Sequence, residues 1–190
     1  MNSINLLQEP SAPPPLFVDD LLEKQAAKVD MFGLELEELV KNMRHAIREH
    51  PGSCRAVGLA APQIGNSQRV VLMEDYRFPS DKEAYIVYVN PEIIEQRGSM
   101  ISHEYCLSIP GSFGFFVIRP SYVRVKARDI NGNAFEEELH GLHAQIMRHE
   151  IDHLNGITVM DRSLLGKFWK DVVNSMAYLS AMLGGVPYGR

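Results

Sequence analysis

Cysteine is scarce in this chain: Cys54 and Cys106 are the only two in 190 residues. Two thiols are too few for a disulfide framework and fit a reducing compartment where thiolates stay free to bind metal. Long apolar runs are missing as well, and no stretch reaches the ~18 consecutive hydrophobic residues that a membrane helix needs. The opening MNSINLLQEPSAPPPLF has neither the basic start nor the apolar centre of a secretory signal, so the expected location is cytoplasmic. Basic excess is lacking too. A net charge of −5 and a pI near 5.8 offer no stripe for phosphate backbones, and neither specific nucleic-acid binding nor membrane binding is predicted. There is no internal repeat, and nothing in the sequence sets the oligomeric state.

What is present suits one globular domain. With 45% hydrophobic residues the core is large enough to need no staples. Residues 1–16, rich in Pro, Ser and Gln, are expected to form a loosely ordered segment, because a PPP run neither continues a helix nor supplies ladder donors. Residues 17–190 form the domain. Leu36, Leu39, Val40, Met43 and Ile47 recur at helical spacing and predict an amphipathic helix over 34–47, ended near Pro51-Gly52. A Gly-Ala-rich loop follows. Strands are predicted over 70–73 and 86–89, the second stopped by Asn90-Pro91. Alternation in 122–127 and 135–139, around Asn131-Gly132, predicts a hairpin. A helix over 141–154 then places Leu142, Ile146, His149 and His153 on one inward face and ends at Asn155-Gly156. A last apolar stripe, from Leu165 and Phe168 to Met182, predicts a packing helix over 164–183. The class is α+β: mixed or antiparallel sheets packed around a central helix, with an additional C-terminal helix.

That central helix carries His149-Glu150-Ile151-Asp152-His153. Two imidazoles four residues apart project from one helical face and can grip one divalent ion, with a carboxylate beside them. A catalytic site of this kind takes three protein ligands and keeps one position for water. A downstream Glu, as in thermolysin-like proteases, is impossible because no Glu follows His153. The extended pattern HExxHxxGxxH fails at Val159. The soft donor that remains is upstream, at Cys106 in HEYCLSIPG, where a thiolate would suit Fe(II) or Zn(II).

With Cys106, His149 and His153 as candidate metal ligands, three motifs fall in an order that resembles the peptide deformylases. They are Ala56-Val57-Gly58-Leu59-Ala60-Ala61-Pro62-Gln63, then Glu104-Tyr105-Cys106-Leu107-Ser108, then the HExDH helix from Arg148 to Gly156. The likeness spans most of residues 20–162. It implies a hydrolase that removes the formyl group from the N-terminal formyl-methionine of newly made polypeptides. One divalent ion per chain is implied, Fe2+ physiologically, with Zn2+, Ni2+ or Co2+ as substitutes. The partners implied are an N-formylmethionyl peptide and, through the nascent chain, the ribosome.

On this reading the metal lowers the pKa of a water, Glu150 serves as general base and then general acid, and Gln63 donates its amide to the oxyanion. The resemblance adds the backbone N–H of Leu107. Gly58, lacking a Cβ, would let an extended peptide approach closely. Val57, Leu59 and Ile146 are candidates for the methionine pocket. Tyr105 replaces the family's usual glycine and would reshape the groove. Ala56 replaces another glycine, Arg148 stands where Gln is common, and Arg119 could support the site through Asp152 or Glu104. Two readings remain open beside this one. One is a divergent amidase or peptidase with another substrate. The other is a structural metal site completed by Cys54, His103, His140 or His143.

Overall fold

The computed structural model describes residues 22–49, 56–78, 84–109 and 114–163, together with residues 165, 166, 168, 171 and 175. The Pro-rich start, Cys54 and most of the C-terminal apolar stripe lie outside the described residues.

The predicted amphipathic helix is α1, Leu34–Arg48, with Leu36, Leu39, Val40, Met43 and Ala46 buried. The strands that follow are β1 Gly58–Ala60, β2 Val70–Glu74, β3 Tyr85–Arg97, β4 Met100–Glu104, β5 Phe115–Arg119, β6 Tyr122–Arg128 and β7 Ala134–His140. A 3-10 turn, Ala61–Ile64, follows β1. Helices α2, Gly141–Leu154, and α3, Val159–Arg162, complete the order. The strands form an antiparallel five-stranded sheet, β1-β2-β3-β6-β7, and a separate antiparallel pair, β4-β5. This is the expected α+β architecture.

Alternation along β2 makes two cores from one sheet, since successive side chains point to opposite faces. Val70 and Leu72 pack with Leu59 and the buried face of α1, while Val71 and Met73 pack with Ala60, Tyr88, Val123 and Val125 against α2. The helix α2 buries Ala144, Ile146, Met147, Ile151 and Leu154 there. It ends as expected: Gly156 has φ 72°, and the Ile157 N–H reaches back to the Asp152 carbonyl at 2.9 Å.

Two expectations need correction. Leu142 does not share the inward face and is 57% exposed, because it sits in the first turn of α2, ahead of the part the sheet covers. The strand over 86–89 does not stop at Asn90-Pro91 but runs on to Arg97, with register shifts between Val89 and Glu92 and between Ile93 and Glu95. Asn90 adopts φ 53°, and its side-chain amide clasps the Val29 backbone through two 2.8 Å bonds. The irregular register accommodates Pro91, which has no N–H to give to a ladder.

Candidate metal centre

Cys106 lies two residues beyond the end of β4, in a turn closed by the Ile109 N–H on the Cys106 carbonyl at 3.1 Å. His149 and His153 come from successive turns of α2. The three are buried, and one ligand atom from each lies within 4.8 Å of the others. Cys106 Sγ is 3.4 Å from His153 Nε2, which is 3.2 Å from His149 Nε2. Among the described residues no fourth ligand joins them. His103 stacks on Phe116, His140 packs on Tyr122 and His143 on Tyr76.

The orientation of His149 is fixed from behind. Its Nδ1 lies 2.9 Å from Glu104 Oε2. Burial alone would raise the Glu104 carboxyl, but Arg119 and His149 hold it down at about 2. An ionised carboxylate can only accept, so Nδ1 donates, and Nε2 is the ring nitrogen turned toward Cys106 and His153. Arg119 grips Glu104 with Nε and Nη2, each at 2.8 Å, and its Nη1 bonds Asp152. Arg162 on α3 closes on Asp152 at 2.9 and 3.2 Å, and Ser102 donates to Glu104 Oε1 at 3.2 Å. Three elements, β4, β5 and α3, are thereby tied to the two histidine-bearing turns of α2.

The donor set fits a divalent ion. A thiolate and two imidazoles are the soft and borderline donors that Zn(II) and Fe(II) accept, and three of them leave room for a further ligand. Burial pushes the Cys106 thiol up, yet the neighbouring imidazoles, His153 foremost, draw it well below its ordinary value. His149 moves the opposite way: burial lowers it, and Cys106 with Glu104 raises it well above the usual imidazole range.

Glu150 is buried beside these ligands, and its Oε2 finds no hydrogen-bond partner among the described residues. Burial is the main reason its carboxyl is raised, with the Cys106 and Glu104 charges adding and the imidazoles opposing. Gln63, in the 3-10 turn, is also buried. Its Oε1 accepts from the Ala60 N–H at 2.7 Å and its Nε2 donates to Ser108 Oγ at 3.1 Å, which leaves one amide proton for another acceptor. The Leu107 N–H has no backbone acceptor among the described residues.

The remaining candidates separate. A Cβ at Gly58 would meet both Ile146 and Glu150. Val57 is 38% exposed, while Leu59 is fully enclosed on the α1 side. Tyr105 is 63% exposed and sets its ring edge-on to His103. Ser102, Ser108 and Arg162 escaped sequence reasoning as site residues. Ser108 lies inside the second motif and was the most accessible of them.

A buried thiol and two imidazoles that could hold a metal ion, with a buried carboxylate beside them, are the donor set of a metal-dependent hydrolase. The chain matches the model of the polypeptide deformylase family over residues 16–167. It is 36% identical over 145 residues to a peptide deformylase of Desulfotalea psychrophila, covering 76% of this chain and 83% of that protein. Against the Caldicellulosiruptor bescii peptide deformylase the identity is 40% over 146 residues, covering 77% and 81%. Among solved structures, a Legionella pneumophila peptide deformylase superposes with TM-score 0.72 at 38% identity, covering 86% and 93% of the two chains. Arabidopsis thaliana peptide deformylase 1B, solved with an inhibitor, gives 0.73 at 30%, covering 90% and 94%. The chain belongs to the peptide deformylase family, and it is an enzyme of that activity.

Proposed function

We propose that this enzyme hydrolyses the formamide of N-terminal formyl-methionine with Cys106, His149 and His153 holding one Fe2+ ion, for which Zn2+, Ni2+ or Co2+ can substitute. When bound, the ion supplies Lewis acidity, lowering the pKa of a water and polarising the formyl carbonyl. Glu150 accepts the proton that the attacking water loses and returns it to the methionine nitrogen as the C–N bond breaks, releasing formate and a free amine. Its raised carboxyl suits a group that must hold that proton and give it up again. The spare proton of the Gln63 amide and the Leu107 N–H point to the oxyanion, a role in which each preset donor is worth ~10²-fold in rate.

The substrate lies extended against β1, whose outer edge is unpaired within the sheet. Val57 and Ile146 contact its first side chain, Tyr105 borders the groove for the next, and Leu59 backs β1 from the core. The partner is the nascent chain at the ribosome, in the cytoplasm. Sparse cysteine supports that location, and among the described residues no helix is long and apolar enough to cross a membrane.

One observation carries the reading: a sulfur and two ring nitrogens within 4.8 Å, buried, with Glu150 next to them in sequence. Formate release from formyl-Met-Ala-Ser, with the metal identified in the same sample, tests reaction and cofactor together. A metal-loaded sample that releases no formate overturns it. Activity lost in air and kept under anaerobic handling is the expected mark of iron, since both Fe(II) and Cys106 oxidise. Indifference to air would favour zinc.

A further inference from the structure

We infer that Gly58 is a positioning residue for Glu150: the space its missing side chain leaves is where the carboxylate of the general base is seated. The inference rests on the proposed role of Glu150. A Cβ at position 58 would lie 2.6 Å from Glu150 Oε1, 3.0 Å from Glu150 Cγ and 2.9 Å from Ile146 Cγ2. Distances this short do not occur between packed atoms, so one side must move. The backbone there needs no glycine on its own account, because Gly58 is absent from the positive-φ glycines. Its requirement is space.

Direction matters as much as distance. Side chains in a strand stand perpendicular to the sheet, whereas the hydrogen-bonding groups of an edge strand lie in its plane. A Cβ on Gly58 would therefore point at α2 and not at a peptide added along the open edge of β1. The strand itself cannot retreat. Gly58 pairs with Met73, Leu59 with Leu72, and the Val57 carbonyl accepts from the Glu74 N–H at 2.9 Å. Nor can Ile146, whose neighbours Ala144 and Met147 are fully buried in the α2 core. The movable atoms are those of the Glu150 carboxylate, flanked by His149 behind and Ile146 one turn earlier. The glycine thereby sets the distance between the base and the ligand cluster.

Gly58→Ala is compared with Glu150→Ala and the double variant, as metal-loaded full-length enzyme. Displacing the base by about an ångström is expected to lower kcat about 100-fold. KM for formyl-Met-Ala-Ser should stay within about threefold, since the hydrogen-bonding edge of β1 is kept. Metal content should equal the parent's. Melting gives a readout independent of turnover: Gly→Ala at an unstrained strand position is ordinarily stabilising, but here it should lower Tm in the parent and by less than half as much in the Glu150→Ala background. Should Gly58→Ala fail to fold while the double variant folds, that difference supports the clash as well. Unchanged kcat, a rise in KM alone, or an equal loss of Tm in both backgrounds overturns the inference. Failure of the base assignment would look different, as a metal-loaded Glu150→Ala enzyme that still turns over.

Discussion

The two sheets of this molecule bury opposite kinds of side chain. In the five-stranded sheet the interior is apolar: Val70 to Met73, Val89, Val123 and Val125 are fully enclosed between α1 and α2. In the β4-β5 pair, Ser102, Glu104 and Arg119 point inward while Ile101, Phe116 and Ile118 point to solvent. Phe115 and Val117, buried, and His103, exposed, keep the usual sense. Burying charge is costly unless each group is paired, and here each is. The larger sheet supplies stability, and the smaller one spends part of it to aim His149. The contrast shows that the Cys106, His149 and His153 group is oriented from outside itself, by a sheet folded against its hydrophobic preference.

The largest expected effect comes at the ligands. Cys106→Ala should abolish metal retention after dialysis and bring formate release to background, with metal content measured alongside activity. Glu150→Ala should keep the metal and still lose ~10³-fold in kcat. A variant that loses both would merge two functions that the geometry separates. Arg119→Met tests the inverted sheet itself. It leaves Glu104 and Asp152 buried without their shared cation, which should cost about 3–5 kcal/mol in denaturant unfolding. Weakened orientation of His149 should lower metal affinity ~10–100-fold, read by chelator competition. In the larger sheet, Met43→Ala removes a fully buried side chain of α1 and should cost ~2–5 kcal/mol of stability. Its metal content should match the parent's, because that core contains none of Cys106, His149 and His153; a comparable loss of metal affinity would erase the distinction between the two regions.

That distinction also decided what could be read from sequence. Periodicity found α1 and the β6-β7 hairpin because their apolar residues face inward, and the spacing of His149 and His153 placed both on the buried side of α2. The inverted pattern of β4 and β5 hid them. Alternation there would place Ile101 and Ile118 inside and Glu104 and Arg119 outside, the reverse of what tertiary pairing enforces. Arg119 was still legible as a partner for Glu104 or Asp152, and it binds both. One feature of Gly58 was not legible: the neighbour a Cβ there would meet is Glu150, 92 positions along the chain, and no local pattern encodes that.

The smallest effect is expected on the outer face of the β4-β5 pair. Ile118 is 59% exposed and lies opposite Ile101, itself 72% exposed. Ile118→Thr keeps a β-branched side chain, so strand preference is retained. What is lost is one cross-strand apolar pair, worth ~0.2–1 kcal/mol. Unfolding in urea should shift by no more than that, with kcat and metal content unchanged, because the side chain points away from Glu104 and Arg119 on the same two strands. A loss above about 2 kcal/mol would belong to a buried residue rather than an exposed one. It would mean that this face is covered in solution, and that the small sheet has an apolar core on its outer side after all.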